Sequence, residues 1–271
     1  MLTVALVTDV HSGPNACFDG KLRKLSHRAP ELLRAFAERM AGEIRPDLVV
    51  NLGDLIEDES PHSDLVRYRT GLELLGQIPA VQCSVAGNHD CVHLDGGALR
   101  QLWGLGPDGP LYRSFDLAGW HFVVVHSHER KDLDVRLAPG ELAWLDADLG
   151  ATTLPTVVLM HHSAAEQDLR GNRWFAQAPH ICLLAERREL RALLRRHGGV
   201  VAVLNGHLHW NHLFVADGIP YVTLQSLTEN IRDDAPGEPA AAYAVARFEP
   251  GWLRLEVGGV DPSRYQLELR R

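Results

Sequence analysis

Histidine, aspartate and asparagine residues stand in five short groups along the chain, and these are residue types that bind metal ions. The groups are Asp9-Val10-His11, Gly53-Asp54, Gly87-Asn88-His89-Asp90, His161-His162 and Gly206-His207-Leu208-His209. Imidazole nitrogens suit manganese, iron, zinc, cobalt and nickel, whereas carboxylate and amide oxygens suit harder ions. Two such ions bridged by a carboxylate lie roughly 3.5–4 Å apart, polarise a phosphoryl group and lower the pKa of bound water. The mixture therefore predicts a two-metal hydrolytic site.

The spacing within the groups also favours one shared site. Two-residue spacing in the pairs Asp9/His11 and His207/His209 allows both side chains of a pair to reach one site from a loop. Glycines precede three of the candidate ligands and permit tight turns with close backbone approach. Taken singly, each group has an ordinary alternative, such as a polar turn or a hydrogen-bonded core histidine. The order of all five groups favours the metal site over five separate structural roles.

All five groups follow short apolar runs that are typical of buried strands. The apolar runs are Thr3–Val7, Leu48–Leu52, Ala80–Val85, Phe122–Val125, Thr156–Met160 and Val200–Leu204. In open α/β sheets, ligands bind beyond the carboxyl ends of the strands. We therefore expect the five groups to converge at one edge of the fold.

Helical patterns separate these runs and predict α/β layering, with helices covering sheet faces. They are Pro30–Ile44, Asp64–Leu75, Pro139–Leu149 and Ala185–Arg196. From Val200 onward strand follows strand, at Leu213–Val215, Tyr221–Leu224, Tyr243–Phe248 and Trp252–Val257. We expect these to form a second, largely antiparallel sheet packed on the first. The sequence predicts a single α/β domain over residues 1–271, a two-sheet sandwich flanked by helices.

Composition disfavours several classes of partner. The formal net charge is −8 with a pI near 6.0, so the overall field repels a polyanion, and long nucleic acid is an unfavourable partner. The basic run from Arg187 to His197 is predicted as the solvated face of a helix. The 4 cysteines are widely spaced and suggest neither a disulfide framework nor a thiolate zinc site. With no basic leader and no apolar stretch near 20 residues, we expect a cytoplasmic protein without membrane contact.

The five groups, in this order, resemble the signature of the calcineurin-like metallophosphoesterase superfamily. That signature runs Asp-x-His, Gly-Asp, Gly-Asn-His-(Asp/Glu), His and Gly-His-x-His, and the resemblance spans Asp9 to His209. It implies a metallophosphoesterase fold of four layers, in which two mixed sheets pack together between helices. The hypothesis that follows is in-line attack on phosphorus by a hydroxide that bridges two metals, without a protein nucleophile.

The resemblance implies a role for each matching residue. By position, the first metal is bound by Asp9, His11 and His209, Asp54 bridges, and the second metal is bound by Asn88, His161 and His207. His161 is preferred to His162 because the family places this ligand directly after the strand, and His162 would then line the pocket. The implied cofactors are two divalent or mixed-valence transition-metal ions, with manganese expected first and iron, zinc, cobalt or nickel as alternatives.

His89 is expected to act on the substrate as a catalytic residue rather than to bind a metal. It would face the phosphate and either stabilise transition-state charge or protonate the leaving oxygen. Family members often orient this histidine with an acid three residues beyond the Gly-Asp aspartate, which is Glu57 here. Asp58 and Asp90 are the alternatives, and each of the three acids is equally a candidate surface charge.

The expected substrate is a small phosphate ester, first of all a small-molecule or nucleotide phosphodiester. Bacterial small-molecule phosphodiesterases often follow the strand-end histidine with His-Pro-Pro, whereas this chain has His162-Ser163-Ala164, so a cyclic-nucleotide activity does not carry over directly. A phosphomonoesterase or a nucleotide pyrophosphohydrolase is the alternative, and a non-enzymatic scaffold of the same fold is disfavoured by the complete ligand set. The number of subunits is left open.

Two stretches are expected to form long loops, which in compact domains are usually functional. They run from His162 to Leu183 and from Ser226 to Ala240. In the first, Arg170, Arg173 or Trp174 is expected to contact the substrate, since these residues suit a phosphate and an aromatic base. The alternative is that this loop packs over the site as a structural cover.

Overall fold

The computed structural model describes residues 1–131 and 133–269 and confirms the predicted α/β architecture of two mixed sheets flanked by helices. Each of these two sheets has six strands. The strands are β1 (Leu2–Val7), β2 (Ala16–Phe18), β3 (Lys21–Lys24), β4 (Leu48–Asn51), β5 (Val81–Ser84), β6 (Arg113–Leu117), β7 (Trp120–Val124), β8 (Ser127–Arg130), β9 (Asp134–Leu137), β10 (Thr156–Leu159), β11 (Val200–Asn205), β12 (His212–Ala216), β13 (Ile219–Thr223), β14 (Tyr243–Glu249), β15 (Trp252–Gly258) and β16 (Ser263–Glu268). The α-helices are α1 (Ala29–Arg39), α2 (Pro61–Leu75), α3 (Gly96–Leu102), α4 (Glu141–Ala151) and α5 (Arg187–His197).

The two sheets place the candidate strands side by side. The first sheet has the order β16-β15-β14-β1-β4-β5, with β1, β4 and β5 parallel. The second has the order β12-β13-β11-β10-β7-β6, with β13, β11, β10 and β7 parallel. Within each sheet, the strands that precede the metal-type groups are therefore neighbours and end at the same edge.

Alternation along the strands builds three packed layers of apolar side chains. In β1, Val4 and Leu6 face the second sheet, whose Leu159 lies in the same core, because successive strand residues point to opposite faces. Ala5 and Val7 face the other way and pack against α1, α2 and α3. On the outer face of the second sheet, α4 and α5 cover a third apolar cluster. Burial of each large aliphatic side chain contributes roughly 1.5–3 kcal/mol, so these cores hold the strand ends firmly.

The expectation of a largely antiparallel second sheet is wrong. The late strands β14, β15 and β16 join the first sheet instead, through antiparallel pairing of β14 with β1. β13 lies parallel to β11 in the second sheet, and β12 is its antiparallel edge. β11 and β13 are buried along their whole length, which is typical of parallel strands covered on both faces.

Two short hairpins, β2–β3 and β8–β9, were not expected from the sequence. Lys21–Lys24 and Ser127–Arg130 are mostly polar, and Ala16–Phe18 is apolar but only three residues long, so neither hairpin carries a long apolar run. The two predicted long loops form no named β-strand or α-helix, although Pro179–Ile181 makes one turn of 3-10 helix. In the part of the chain that the structure describes, no helix has the length and apolar character needed to cross a membrane.

Candidate metal centre

The five metal-type groups converge where the parallel strands end. Asp9 and His11 follow β1, Asp54 follows β4, Asn88 follows β5, His161 follows β10, and His207 and His209 follow β11. Six of these seven side chains are buried, and Asn88 is partly buried. The fold therefore brings together all the residues that the sequence singled out as ligands, beyond the carboxyl ends of strands from both sheets.

Asp54 lies between the contributions of the two sheets. Its Oδ2 is 3.7 Å from His11 Nε2 and 3.3 Å from His161 Nε2. Asp9 and Asp54 together form a compact cluster of potential ligand atoms with His161. The carboxylate predicted to bridge two ions thus occupies the middle of the set.

The first half of the site consists of Asp9, His11 and His209. His11 Nδ1 lies 2.9 Å from Glu57 Oε2, and His209 Nδ1 lies 2.8 Å from Glu229 Oε2, so each of these nitrogens carries a proton that it donates to a carboxylate. The opposite nitrogens face each other at 3.1 Å. Asp9 Oδ1 lies 3.3 Å from His209 Nε2 but has no hydrogen bond of good geometry among the described residues.

The second half consists of Asn88, His161 and His207. His161 Nδ1 donates to the carbonyl of Leu52 at 2.9 Å, and His207 Nε2 donates to the carbonyl of Ile181 at 3.3 Å. These bonds leave His161 Nε2 and His207 Nδ1 facing each other at 3.2 Å. Asn88 Oδ1 approaches the same His161 Nε2 at 3.2 Å. In this half, backbone carbonyls thus accept the histidine hydrogen bonds that carboxylates accept in the first half.

Both halves fit a cation. Two neutral imidazole nitrogens that face each other present two lone pairs, and this contact is favourable only when a proton or a metal ion lies between them. Metal-binding histidines typically donate their other nitrogen to a carboxylate or carbonyl, as all four rings do here. Together with the carboxylates of Asp9 and Asp54 and the amide of Asn88, the donors suit two transition-metal ions.

Without a metal, one ring of each facing pair is protonated on both nitrogens and is an imidazolium cation. Burial lowers the pKa of His161, but the charges of Asp54 and Asp9 and the hydrogen bonds to Asp54 and Leu52 together outweigh burial and raise the pKa to about 9. Burial and the charge of Asp9 act in the same opposed way on His209, whose pKa is also raised to about 9. Burial lowers the pKa of His11 to about 4 and that of His207 to about 3. Each half thus contains one imidazolium that a metal ion would replace.

The backbone is strained at most of the predicted ligands. Positive φ angles occur at Asp9 (50°), His11 (46°), Asp54 (53°), His207 (68°) and His209 (51°). A left-handed conformation at a residue other than glycine costs on the order of 1–3 kcal/mol and persists only where the surrounding structure imposes it. Strain concentrated on these residues is typical of a functional site.

Two glycines allow the loops to approach as closely as the sequence predicted. A Cβ atom at Gly87 would lie 2.1 Å from Asp54 Oδ1, and one at Gly206 would lie 1.9 Å from Thr8 Oγ1 and 2.5 Å from Asp9 Oδ2. Any side chain at either position would push a predicted ligand out of place. The glycines before Asn88 and His207 are therefore required by the geometry of the site.

His89 lies beside the predicted ligands, and Asp58 rather than Glu57 orients it. His89 Nδ1 is 2.5 Å from Asp58 Oδ1 and 3.8 Å from Glu57 Oε2. The expectation for Glu57 is wrong because its carboxylate turns to His11 instead. Asp90 accepts backbone N–H bonds from Asp54 at 2.9 Å and from Gly87 at 3.0 Å, so it ties two loops together.

A cavity of about 340 Å³ opens at the site. Its lining includes His11, Asp54, Asn88, His89, His207 and His209, together with Phe18, Lys24, Glu129, Trp174, Phe175, Ala178 and Ile181. Phe18 and Lys24 come from the β2–β3 hairpin, which sequence reasoning missed. Glu229, which holds His209, was also missed; it lies in the second predicted long loop, and that loop was the only signal available.

The loop from residue 163 to 183 covers the second half of the site. Phe175 stacks on His207 with ring centroids 4.7 Å apart. Of the three residues expected to contact the substrate, Trp174 borders the cavity. Arg173 instead donates to the carbonyls of Asn230 and Ile231, and Arg170 is exposed and pairs with Asp168. These placements combine the two alternatives, since part of the loop is cover and part is cavity wall.

His162 does not line the cavity, and this expectation is wrong. Its side chain is fully buried, with its ring centroid 4.2 Å from that of His207. Nδ1 lies 2.8 Å from Ser127 Oγ, and Nε2 has no hydrogen-bond partner among the described residues. His161, which follows the strand directly, is the one that reaches Asp54.

Comparison with known proteins gives a consistent result. Residues 2–211 match the family of calcineurin-like phosphoesterases. A probable cyclic nucleotide phosphodiesterase of a Synechococcus species is 31% identical over 269 residues, covering 96% of this chain and 93% of the relative. A 3',5'-cyclic-nucleotide phosphodiesterase of a Nostoc species is 25% identical, covering 94% of this chain and 88% of the relative.

Solved structures support the same fold. A dimetal phosphatase from Danio rerio superimposes with a TM-score of 0.79 over 99% of both chains, at 17% identity. A phosphopantetheinyl hydrolase from Mycobacterium tuberculosis superimposes with a TM-score of 0.53 over 83% of this chain and 89% of that one, also at 17% identity. At this level of identity the likeness concerns the fold alone.

Proposed function

The chain belongs to the calcineurin-like phosphoesterase family and is a phosphoesterase, and from this premise we propose that its substrate is a 3',5'-cyclic nucleotide. The observation that carries the hydrolytic part is the pair of facing imidazole contacts on either side of Asp54. The substrate class rests on relatives that are named as cyclic nucleotide phosphodiesterases and align with most of the chain.

Seven side chains are proposed to hold two metal ions. Asp9, His11 and His209 hold the first, Asn88, His161 and His207 hold the second, and Asp54 contributes to both. Two bound transition-metal ions supply charge neutralisation for the phosphoryl oxygens and lower the pKa of water. Manganese is the ion we propose to test first, because the mixed nitrogen and oxygen donors accept it.

His89 is proposed to protonate the leaving oxygen. Burial lowers its pKa, but the charges of Asp54 and Glu57 and the hydrogen bond that His89 Nδ1 donates to Asp58 together outweigh burial, so the pKa is raised above its ordinary value. The ring borders the cavity and is fixed through Nδ1, which leaves Nε2 for the substrate. An oriented imidazole beside the phosphate, with a pKa raised above its ordinary value, is the arrangement that a general acid requires.

The proposal is tested by turnover with added Mn²⁺. We expect cAMP or cGMP to be opened to the nucleoside monophosphate, and bis(4-nitrophenyl) phosphate to be cleaved faster than 4-nitrophenyl phosphate, with Asn88→Ala as the control that lacks one ligand. Preference for the monoester would move the substrate class to phosphomonoesters. Absence of turnover on every ester after metal loading would reject the proposal.

The role of His89 has a separate readout. His89→Asn should lower kcat on the cyclic nucleotide by about 10²- to 10⁴-fold. The ribose alkoxide of the cyclic nucleotide is a poor leaving group and needs a proton. The loss on the 4-nitrophenyl ester should be much smaller, since nitrophenolate leaves without one. Equal losses on both substrates would exclude the general-acid role.

A further inference from the structure

We infer that Lys24 binds the phosphoryl group of the substrate, as a cationic residue of the active site. The inference rests on the proposed function. Lys24 ends the second strand of the β2–β3 hairpin, and its side chain is only 4% exposed. It lines the same cavity as Asp54, Asn88 and His89. If this cavity holds a phosphate ester, the phosphate is an anion that the buried ammonium would bind.

The contacts of Lys24 leave donor capacity for that partner. Nζ lies 2.5 Å from Glu57 Oε2 and 5.2 Å from the centre of the Trp174 ring. His11 Nδ1 lies 3.5 Å from Nζ, but its proton already goes to Glu57. An ammonium group has three N–H donors, and in the described part of the chain only one carboxylate oxygen is a strong acceptor for them. A buried donor without an acceptor is costly, so the remaining donors favour an anion in the cavity.

Position also favours contact with the phosphate. Lys24 Nζ borders the first half of the site at the ring of His11, whose Nδ1 faces Glu57 and Lys24 and whose Nε2 faces His209. A phosphoryl group held between the two halves would lie beside this ring. Lys24 would then add a fixed positive charge on the side of the cavity formed by the hairpin.

A purely structural role is the competing explanation. Glu57 accepts from both His11 and Lys24, so Lys24 could serve only to neutralise that carboxylate. The two roles differ in what a second substitution does. If Lys24 only neutralises Glu57, the Lys24→Gln/Glu57→Gln double variant binds phosphate as well as Glu57→Gln alone, which already lacks the carboxylate behind His11. If Lys24 binds phosphate, the double variant binds phosphate more weakly than Glu57→Gln alone.

The experiment measures binding of inorganic phosphate to Mn²⁺-loaded protein by calorimetry, alongside kcat/KM and metal content. Lys24→Gln should weaken phosphate binding and lower kcat/KM by about 10- to 100-fold, the range for a hydrogen bond to a charged group, with two metals retained. The loss should be larger for a dianionic monoester than for a monoanionic diester. Lys24→Arg should recover part of the binding. Lys21→Gln, on the same hairpin but exposed and paired with Asp233, is the matched control.

Two outcomes overturn the inference: unchanged phosphate affinity in Lys24→Gln, or equal phosphate affinity in the Lys24→Gln/Glu57→Gln double variant and in Glu57→Gln alone. Lys24→Arg keeps the test open if the glutamine variant does not fold, because a full loss of phosphate affinity, about 10- to 100-fold, in a folded arginine variant that retains two metals would also contradict a charge-based contact. If the wild-type protein hydrolyses no phosphodiester yet binds phosphate through Lys24, the proposed function fails and this inference stands.

Discussion

The two halves of the candidate metal centre share a ligand pattern but differ in what holds the ligands. In the first half, Glu57 and Glu229 accept from His11 and His209. In the second half, backbone carbonyls accept from the two histidines. A carboxylate behind an imidazole raises its basicity and adds negative charge, whereas a carbonyl mainly fixes the ring orientation. The first half is therefore the more anionic environment, and we expect it to bind its cation more tightly.

The two halves also differ in whether a side-chain substitution can remove the group that holds a histidine. Glu229 Oε2 accepts from Trp174 Nε1 at 3.0 Å as well as from His209, and Glu57 is shared between His11 and Lys24. Both carboxylates thus link the first half to the walls of the cavity. The second half depends on the main chain at Leu52 and Ile181, which side-chain substitution does not remove.

The largest effect is expected where the halves meet. Asp54→Asn removes the charge shared by both halves, so metal content should fall in both and kcat should drop by about 10³-fold or more, equivalent to several kcal/mol. Asp19→Asn is a close control, since Asp19 is exposed but has nearly the same backbone angle, φ 52° against 53°. Retention of two tightly bound metals in Asp54→Asn, measured by elemental analysis, would contradict a shared carboxylate.

An intermediate effect should separate the halves. Glu229→Gln keeps the shape of the side chain but removes its charge, and it should weaken one metal by about 10- to 100-fold while leaving the other unchanged. Metal titration of the apoprotein, followed by calorimetry, distinguishes the two binding events. Glu238→Gln changes the same residue type in the same loop, where the partner is Arg232, and should alter neither event. Equal weakening of both metals would show that the halves are not independent.

The number of protons released on metal binding also compares the two halves, and this effect is smaller. Below pH 9, His161 and His209 are each imidazolium cations before metal binds, since their pKa values are about 9. Binding of two metals near pH 7.5 should release about two protons, one from each half, so apparent metal affinity should fall as the pH falls. Calorimetry in buffers of different ionisation enthalpy counts these protons. Release of none would mean that the imidazoles are already neutral.

Much of this site follows from the sequence because the ligands are tied to strand ends. Apolar runs such as Thr3–Val7 fix where a strand ends, and parallel strands end at the same edge. The residues that hold the ligands follow no such rule. Glu229 reaches His209 from a long loop that is anchored by Ser226 Oγ donating to the carbonyl of Asp9 at 2.7 Å. A contact of this kind depends on chain paths that periodicity does not encode.

The error over the acid beside His89 has the same cause. Glu57 and Asp58 are adjacent, and both face histidines at the site, but Glu57 turns to His11 and Asp58 turns to His89. Sequence spacing places both acids near the site, yet the direction of each side chain is decided by the local backbone. The hairpin that supplies Lys24 was missed because one strand, Ala16–Phe18, is only three residues long and the other, Lys21–Lys24, is mostly polar.

The smallest predicted effect tests whether the second half relies on its cover. Phe175 stacks on His207 at 4.7 Å with an interplanar angle of 30°, and such pairs contribute about 0.5–1.5 kcal/mol. Phe175→Leu should therefore weaken the second metal by about 2- to 10-fold and leave the first unchanged. Phe18→Leu is the control for cavity shape, because Phe18 stacks on Trp174 rather than on a predicted ligand. If Phe175→Leu instead weakened the metal held beside Glu229, the carboxylates would not be what sets the first half apart, and loop packing would have to account for both halves.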